Sequence, residues 1–136
     1  MLSAEDLTSI ARVRLQDAKV LFSSKRYDGA VYLCGYAVEI AVKARIVKTL
    51  KWPGFPENNR EFEGLQSFRS HDLPLLLKLS GWEPRINANY GAEWSKVVDW
   101  NPESRYQRPR VVPEAQAQAE ANEMIESARK LVGVML

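Results

Sequence analysis

Leu7, Ala11, Leu15, Ala18 and Phe22 recur at steps of three and four. That period predicts an amphipathic helix over about residues 4–24. Ser3 with Asp6 three positions on marks its start, with an acid in the first turn. Apolar positions then crowd residues 28–50, a second helix for which Asp28 is the expected cap and Pro53, Gly54 and Pro56 the stop. Residues 52–70 keep no period and read as a long loop. Asp72 is placed to cap a short third helix, with Pro74 in its first turn and Gly81 closing it. Asn87 or Asn89 opens a fourth, through about Val98. The stretch WNPESRYQRPRVVP, with three prolines, is irregular. Pro113 suits the first turn of a last long helix, whose inner face carries Gln118, Ala121, Ile125, Ala128, Val132 and Met135. No segment alternates as a strand. The pattern predicts one all-α domain over residues 1–136: a bundle of four to five helices, with the long loop between the second and third.

The second helix carries the main puzzle. At about 100° per residue, Ala30, Leu33, Cys34, Ala37, Ile40, Ala41 and Ala44 share one broad face. Val31, Val38 and Val42 occupy another side. A helix apolar on two sides is a central one, and its alanines with Gly35 permit close helix contacts. Between those sides, Tyr32, Tyr36, Glu39 and Lys43 fall within roughly a 60° arc. Glu39 and Lys43 have the favourable i, i+4 order. Two readings stand: a solvated face with a surface ion pair, or a partly buried polar stripe lining a cleft or a subunit interface.

Charge narrows the function little. Nineteen basic and 17 acidic side chains give a net +2, too weak a bias to announce a nucleic-acid or membrane binder without a local patch. The single cysteine, Cys34, forms no internal disulfide, so a reducing, cytoplasmic setting is expected. The charged start MLSAEDLTSIARVR lacks an apolar core, so no signal peptide is expected, and no run is apolar enough to span a membrane. His71, the lone histidine, stands in RSHDL beside Asp72. It is either a structural residue near a helix cap, or a general base or phosphate contact. One Cys and one His make no metal-ligand cluster, and neither a metal nor a cofactor is expected. RYQRPR, residues 105–110, is the densest basic patch; Arg105, Arg108 and Arg110 around Tyr106 suit phosphate contact with base stacking, or an ordinary solvated loop. Trp52, Trp82, Trp94 and Trp100 read as core or lid residues.

The order of these pieces resembles HEPN domains, the helical family named from higher eukaryotes and prokaryotes nucleotide-binding. Arg14, Leu15 and Ala18 resemble the family's first-helix element, and Tyr27, Asp28 and Ala30 the opening of its second helix. Tyr36, Ala37, Glu39, Lys43 and Ala44 resemble its Tyr-Ala-x-Glu-x-x-x-Lys-Ala element. His71-Asp72-Leu73 is similar to its His-Asp-Leu turn, and Arg105-Tyr106 to its Arg-Tyr element before the last helix.

The resemblance implies a helical bundle, usually a homodimer. Such domains often act beside minimal nucleotidyltransferases in toxin–antitoxin pairs, in RNA metabolism or in defence. Many are metal-independent endoribonucleases with an Arg followed four to six residues later by His. This chain departs from that rule: positions 65–67 are Leu, Gln and Ser, Arg69 is too close to His71 and Arg60 too far. The expected role is therefore binding of a nucleotide, an RNA or a partner nucleotidyltransferase. Glu39 and Lys43, with Tyr36, would form a cleft floor, His71 and Asp72 its rim, and Arg105 and Tyr106 would meet phosphate and base. Two alternatives remain: an endoribonuclease with a variant site of Glu39, His71 and Arg105, and a structural oligomerisation module.

Overall fold

The computed structural model describes all 136 residues and is all-α. Six helices follow in order: α1 (Ala4–Ser23), α2 (Tyr27–Leu50), α3 (Leu73–Leu79), α4 (Glu83–Asn89), α5 (Gly91–Val97) and α6 (Glu114–Met135). Two short 3-10 turns, Gln66–Phe68 and Pro102–Tyr106, lie in the connections. α2 is the centre, packed by α1, α6 and α3, while α5 packs on α6. Both apolar sides of α2 are used: Ala30, Cys34, Ala37 and Ala41 are fully buried, and so are Val38 and Val42. The inner stripe of α6 holds from Ala121 to Met135 and takes in Met124 and Leu131; Gln118 lies outside it, exposed. No helix is long and apolar enough to cross a membrane.

The helix ends show how local chemistry sets the boundaries. Ser3 and Asp6 form a capping box: Asp6 N–H donates to Ser3 Oγ at 3.0 Å, and Ser3 N–H to Asp6 Oδ2 at 3.1 Å. Asp72 caps α3, its Oδ1 accepting from Leu75 N–H at 3.1 Å. Gly81 closes α3 with a left-handed φ of 75°. Asp28 does not cap α2. Arg26 holds the cap position without a side-chain bond, and Asp28 lies in the first turn, where its carboxylate meets Arg110 at 3.5 Å. Nor do Asn87 and Asn89 open a helix: both belong to α4, which starts earlier, with Pro84 in its first turn. Asn89 Nδ2 donates back to the Arg85 carbonyl at 3.1 Å, satisfying the end of α4 rather than the start of a new helix. The region expected to hold two short helices therefore holds three. Pro113 sits one residue outside α6, at its cap position.

The segment 51–72 is long but packed. Leu2 and Phe55 exchange backbone hydrogen bonds at 2.9 and 2.6 Å, and Trp52 packs edge-on against Phe68, with Phe55 against Phe62. This apolar clamp fixes the loop beside α2 and so positions the residues just before α3, which reach back to the polar stripe.

Candidate functional site: the polar stripe of α2 and its two covers

The stripe is partly buried. Glu39 is 3% exposed, in the middle of the central helix. Its two oxygens go to different partners. Oε2 accepts from Lys43 Nζ at 3.2 Å, one turn along α2. Oε1 lies 2.7 Å from Nδ1 of His71, delivered by the segment that the Asp72 cap anchors. A buried carboxylate without partners would cost several kcal/mol, roughly; Lys43 supplies the charge that holds Glu39 inside, and His71 adds a second contact from the solvent side. Lys43 is mostly buried, its ammonium over the Phe55 ring at 5.2 Å from the centroid. His71, by contrast, is 58% exposed in its side chain. When Nδ1–H donates to Glu39, Nε2 is an acceptor facing outward, the state in which an imidazole takes a proton. Asp72 is exposed and its carboxylate is committed to the helix cap.

The other end of the stripe is aromatic. Tyr32 and Tyr36 meet edge to face at 5.1 Å between ring centroids, their hydroxyls 3.5 Å apart. Trp100 closes over them, 4.8 Å from the Tyr36 ring. Gly35 makes this approach fit: a Cβ there would stand 2.1 Å from Trp100 Cδ1. Gly35 thus admits an indole from the connection between α5 and α6, not a neighbouring helix. The hydrogen bond with Tyr32 and then burial push the Tyr36 phenol up to about 12.

Arg105 stands beyond this aromatic group. Its Nη2 donates to Tyr106 Oη at 3.2 Å and its Nη1 to the Pro102 carbonyl at 3.4 Å, while its guanidinium covers the Tyr106 ring at 4.6 Å. Hydrogen bonds to Tyr106 and then Tyr32 raise its pKa further above the ordinary arginine range. Tyr106 is 73% exposed. Glu39, Lys43 and His71 therefore form one cluster, and Tyr32, Trp100, Arg105 and Tyr106 a second. Tyr36 lies between, in the field of both Glu39 and Arg105. Arg105 makes no hydrogen bond or ion pair with Glu39 or His71. The cleft beside His71, about 430 Å³, is lined by Trp100 and by the acids Asp72, Asp99 and Glu103.

No group of three or more His, Cys, Asp or Glu side chains is placed to hold a metal ion. Arg69, two residues before His71, points elsewhere: it hydrogen-bonds Asn59 and lies over the Phe62 ring at 5.5 Å. Of the tryptophans, Trp94 is in the core and the other three pack against it. Cys34 is fully buried, and its thiol is pushed up to about 12 by that burial.

Fold and site together define a helical bundle with a carboxylate–lysine–histidine cluster on its central helix. The family model of the HEPN domain matches residues 4–55, which cover α1, α2 and the turn after it. The resemblance is thereby supported on the helical hairpin that carries Tyr36, Glu39 and Lys43. No curated protein and no solved structure matches the chain.

The residues that sequence reasoning missed lie where the chain folds back on itself. The turn between α1 and α2 brings Arg26 toward the 105–110 segment, to which no local motif connects it. Trp100 had a signal: a glycine in mid-helix beside two tyrosines marks a close approach, though not by what.

Proposed function

We propose that this protein binds RNA or a nucleotide through a surface made by Arg105, Tyr106 and the exposed edge of the α2 stripe. The observation that carries this reading is Arg105, a guanidinium with no carboxylate partner, held against an exposed tyrosine ring and lining a cavity of about 1250 Å³. Arginine offers a planar fork to phosphate, and a base can stack on the free side of the tyrosine. The HEPN match supports a nucleotide- or RNA-related role at the level of the family. In this reading the protein acts in the cytoplasm as a homodimer. Its setting is a toxin–antitoxin or defence pair, with a minimal nucleotidyltransferase as the partner chain. Fluorescence anisotropy with labelled RNA and a nucleotide panel tests the binding. Arg105→Ala is expected to weaken it at least about tenfold, the scale of one charge-assisted contact. Unchanged affinity in that variant would remove the reading's basis.

A second reading, metal-independent RNA cleavage, is favoured by one observation: the buried Glu39 carboxylate holds His71 Nδ1 at 2.7 Å and leaves the ring exposed. His71 Nε2 would take the proton of a ribose 2′-hydroxyl, whose oxygen attacks the adjacent phosphorus. The bond to the 5′-oxygen breaks, that oxygen takes a proton from solvent and leaves as a 5′-hydroxyl, and a 2′,3′-cyclic phosphate results. A cleavage assay with end-group analysis decides it. Cleavage that survives His71→Ala would exclude this histidine as the base.

A further inference from the structure

We infer that the cavity between the α1–α2 turn, the 104–112 segment and the first half of α6 is a groove for a single-stranded phosphodiester chain, with Arg26, Arg105 and Arg108 on its phosphates. The inference rests on the nucleic-acid reading above and adds the path of the strand and two residues outside that surface.

The cavity measures about 1250 Å³. That exceeds the roughly 300–1000 Å³ of a pocket built around one small molecule. Its charges divide in an orderly way. Four carboxylates line it, and each is already paired: Glu114 with Lys25 at 3.4 Å, Glu123 with Lys96 at 3.3 Å, and Glu120 and Asp28 with Arg110 at 2.7 and 3.5 Å. Three cations of the lining have no carboxylate partner: Arg26, Arg105 and Arg108. They come from two segments about 80 residues apart in the chain that line one cavity, so one compact anion is a poor match and a chain of phosphates a good one. All three are arginines, whose guanidinium forks suit phosphate oxygens. Gln107 between them is extended (φ −76°, ψ 147°), which spreads Arg105 and Arg108 along the wall. Tyr106 is not part of the lining but adjoins Arg105, which is; it is 73% exposed, and that guanidinium lies over its ring. A basic groove with an exposed aromatic is how single strands are held without reading their sequence.

The test uses the full chain and labelled 12-mers of uridine and of thymidine, with a duplex and free nucleotides as competitors. Wild type is expected to bind both strands, with an affinity that falls with salt at a log–log slope of about 2, from three phosphates at roughly 0.7 each. Arg26→Glu with Arg108→Glu is expected to weaken both strands at least tenfold and to flatten that slope. Arg12→Glu with Arg60→Glu makes the same change in net charge at exposed, unpaired arginines outside the cavity and is expected to stay within twofold. Thermal melts of both double variants check folding. If the Arg26/Arg108 variant binds like wild type while Arg105→Ala does not, the groove is wrong and the binding surface stands. Displacement of the strand by a free nucleotide at equal affinity overturns the strand path. If wild type binds none of the probes, both readings fall together. A preference for uridine over thymidine strands, or none, identifies the source of the chain, and either supports the groove provided the double variant weakens the binding.

Discussion

Glu39 and His71 are 32 residues apart in sequence and 2.7 Å apart in space, one buried and the other mostly in solvent. The asymmetry of the pair makes a prediction. Removing the buried member leaves the mostly buried Lys43 ammonium without its partner and a gap beside the central helix. Glu39→Ala is expected to cost about 2–3 kcal/mol. Removing the exposed member opens the carboxylate to water, and His71→Ala is expected to cost under about 1 kcal/mol. Urea unfolding midpoints of the two variants check this. Equal costs would show that the histidine, not the burial of the carboxylate, organises the cluster.

Gly35 and Trp100 supply a second test, through a change of sign. An alanine methyl at position 35 would stand 2.1 Å from the indole, so the ring must leave. Gly35→Ala is expected to destabilise by about 1–3 kcal/mol, the ordinary cost of overpacking. In a Trp100→Ala background the obstruction is gone and the helical preference for alanine over glycine remains. There the same substitution is expected to stabilise by up to about 1 kcal/mol. A double-mutant cycle measures the coupling. A cost that persists without Trp100 would mean that another neighbour occupies the space.

The two tests mark what the sequence could and could not tell. The three long helices were legible because apolar residues repeat along each: Leu7 to Ala18, Ala30 to Val47, and Ala121 to Met135 are buried as the period requires. The HEPN resemblance was legible on α1 and α2, where each element is local. The short helices were not: α4 and α5 span seven residues each, too few for a period to declare itself, and Asn89 reads equally well as an opening or a closing residue. In the candidate site, Glu39 and Lys43 were visible as a stripe on one helix. Their cover was not, because His71, Phe55 and Trp100 arrive through loops whose course is set by tertiary packing. Arg26 was invisible as a site residue for the same reason, since its place in the same cavity as Arg108 depends on the α1–α2 turn.

Cys34 makes a simple chemical prediction. Its thiol is fully buried and pushed up to about 12, so the nucleophilic thiolate is scarce near neutral pH. In the native protein at pH 8 it is expected to react with a disulfide reagent far more slowly than a free thiol does. Unfolding in urea is expected to restore the ordinary rate. Rapid, stoichiometric labelling under native conditions would contradict the burial of this face of α2.

Tyr36 links the two halves of the site, and its ionisation can be read in stability. The folded protein holds its phenol up to about 12, first through the Tyr32 hydrogen bond and then through burial, with the Glu39 carboxylate adding repulsion for a phenolate. In the unfolded chain the group titrates near its ordinary value of about 10. The raised folded value means that the unfolded state loses its proton first. The contribution to stability is therefore complete below about pH 10 and is lost as pH rises from there through about 12. Other groups titrate in the same window, so the informative quantity is the stability difference between wild type and Tyr36→Phe, from urea unfolding between pH 8 and 12. That difference is expected to be flat up to about pH 10 and then to move in favour of the phenylalanine variant. A parallel titration of phenolate absorbance should show one late-ionising tyrosine in wild type that Tyr36→Phe removes. A difference that stays flat to pH 12 would mean that Tyr36 is open to solvent and that Trp100 does not close this end of the stripe.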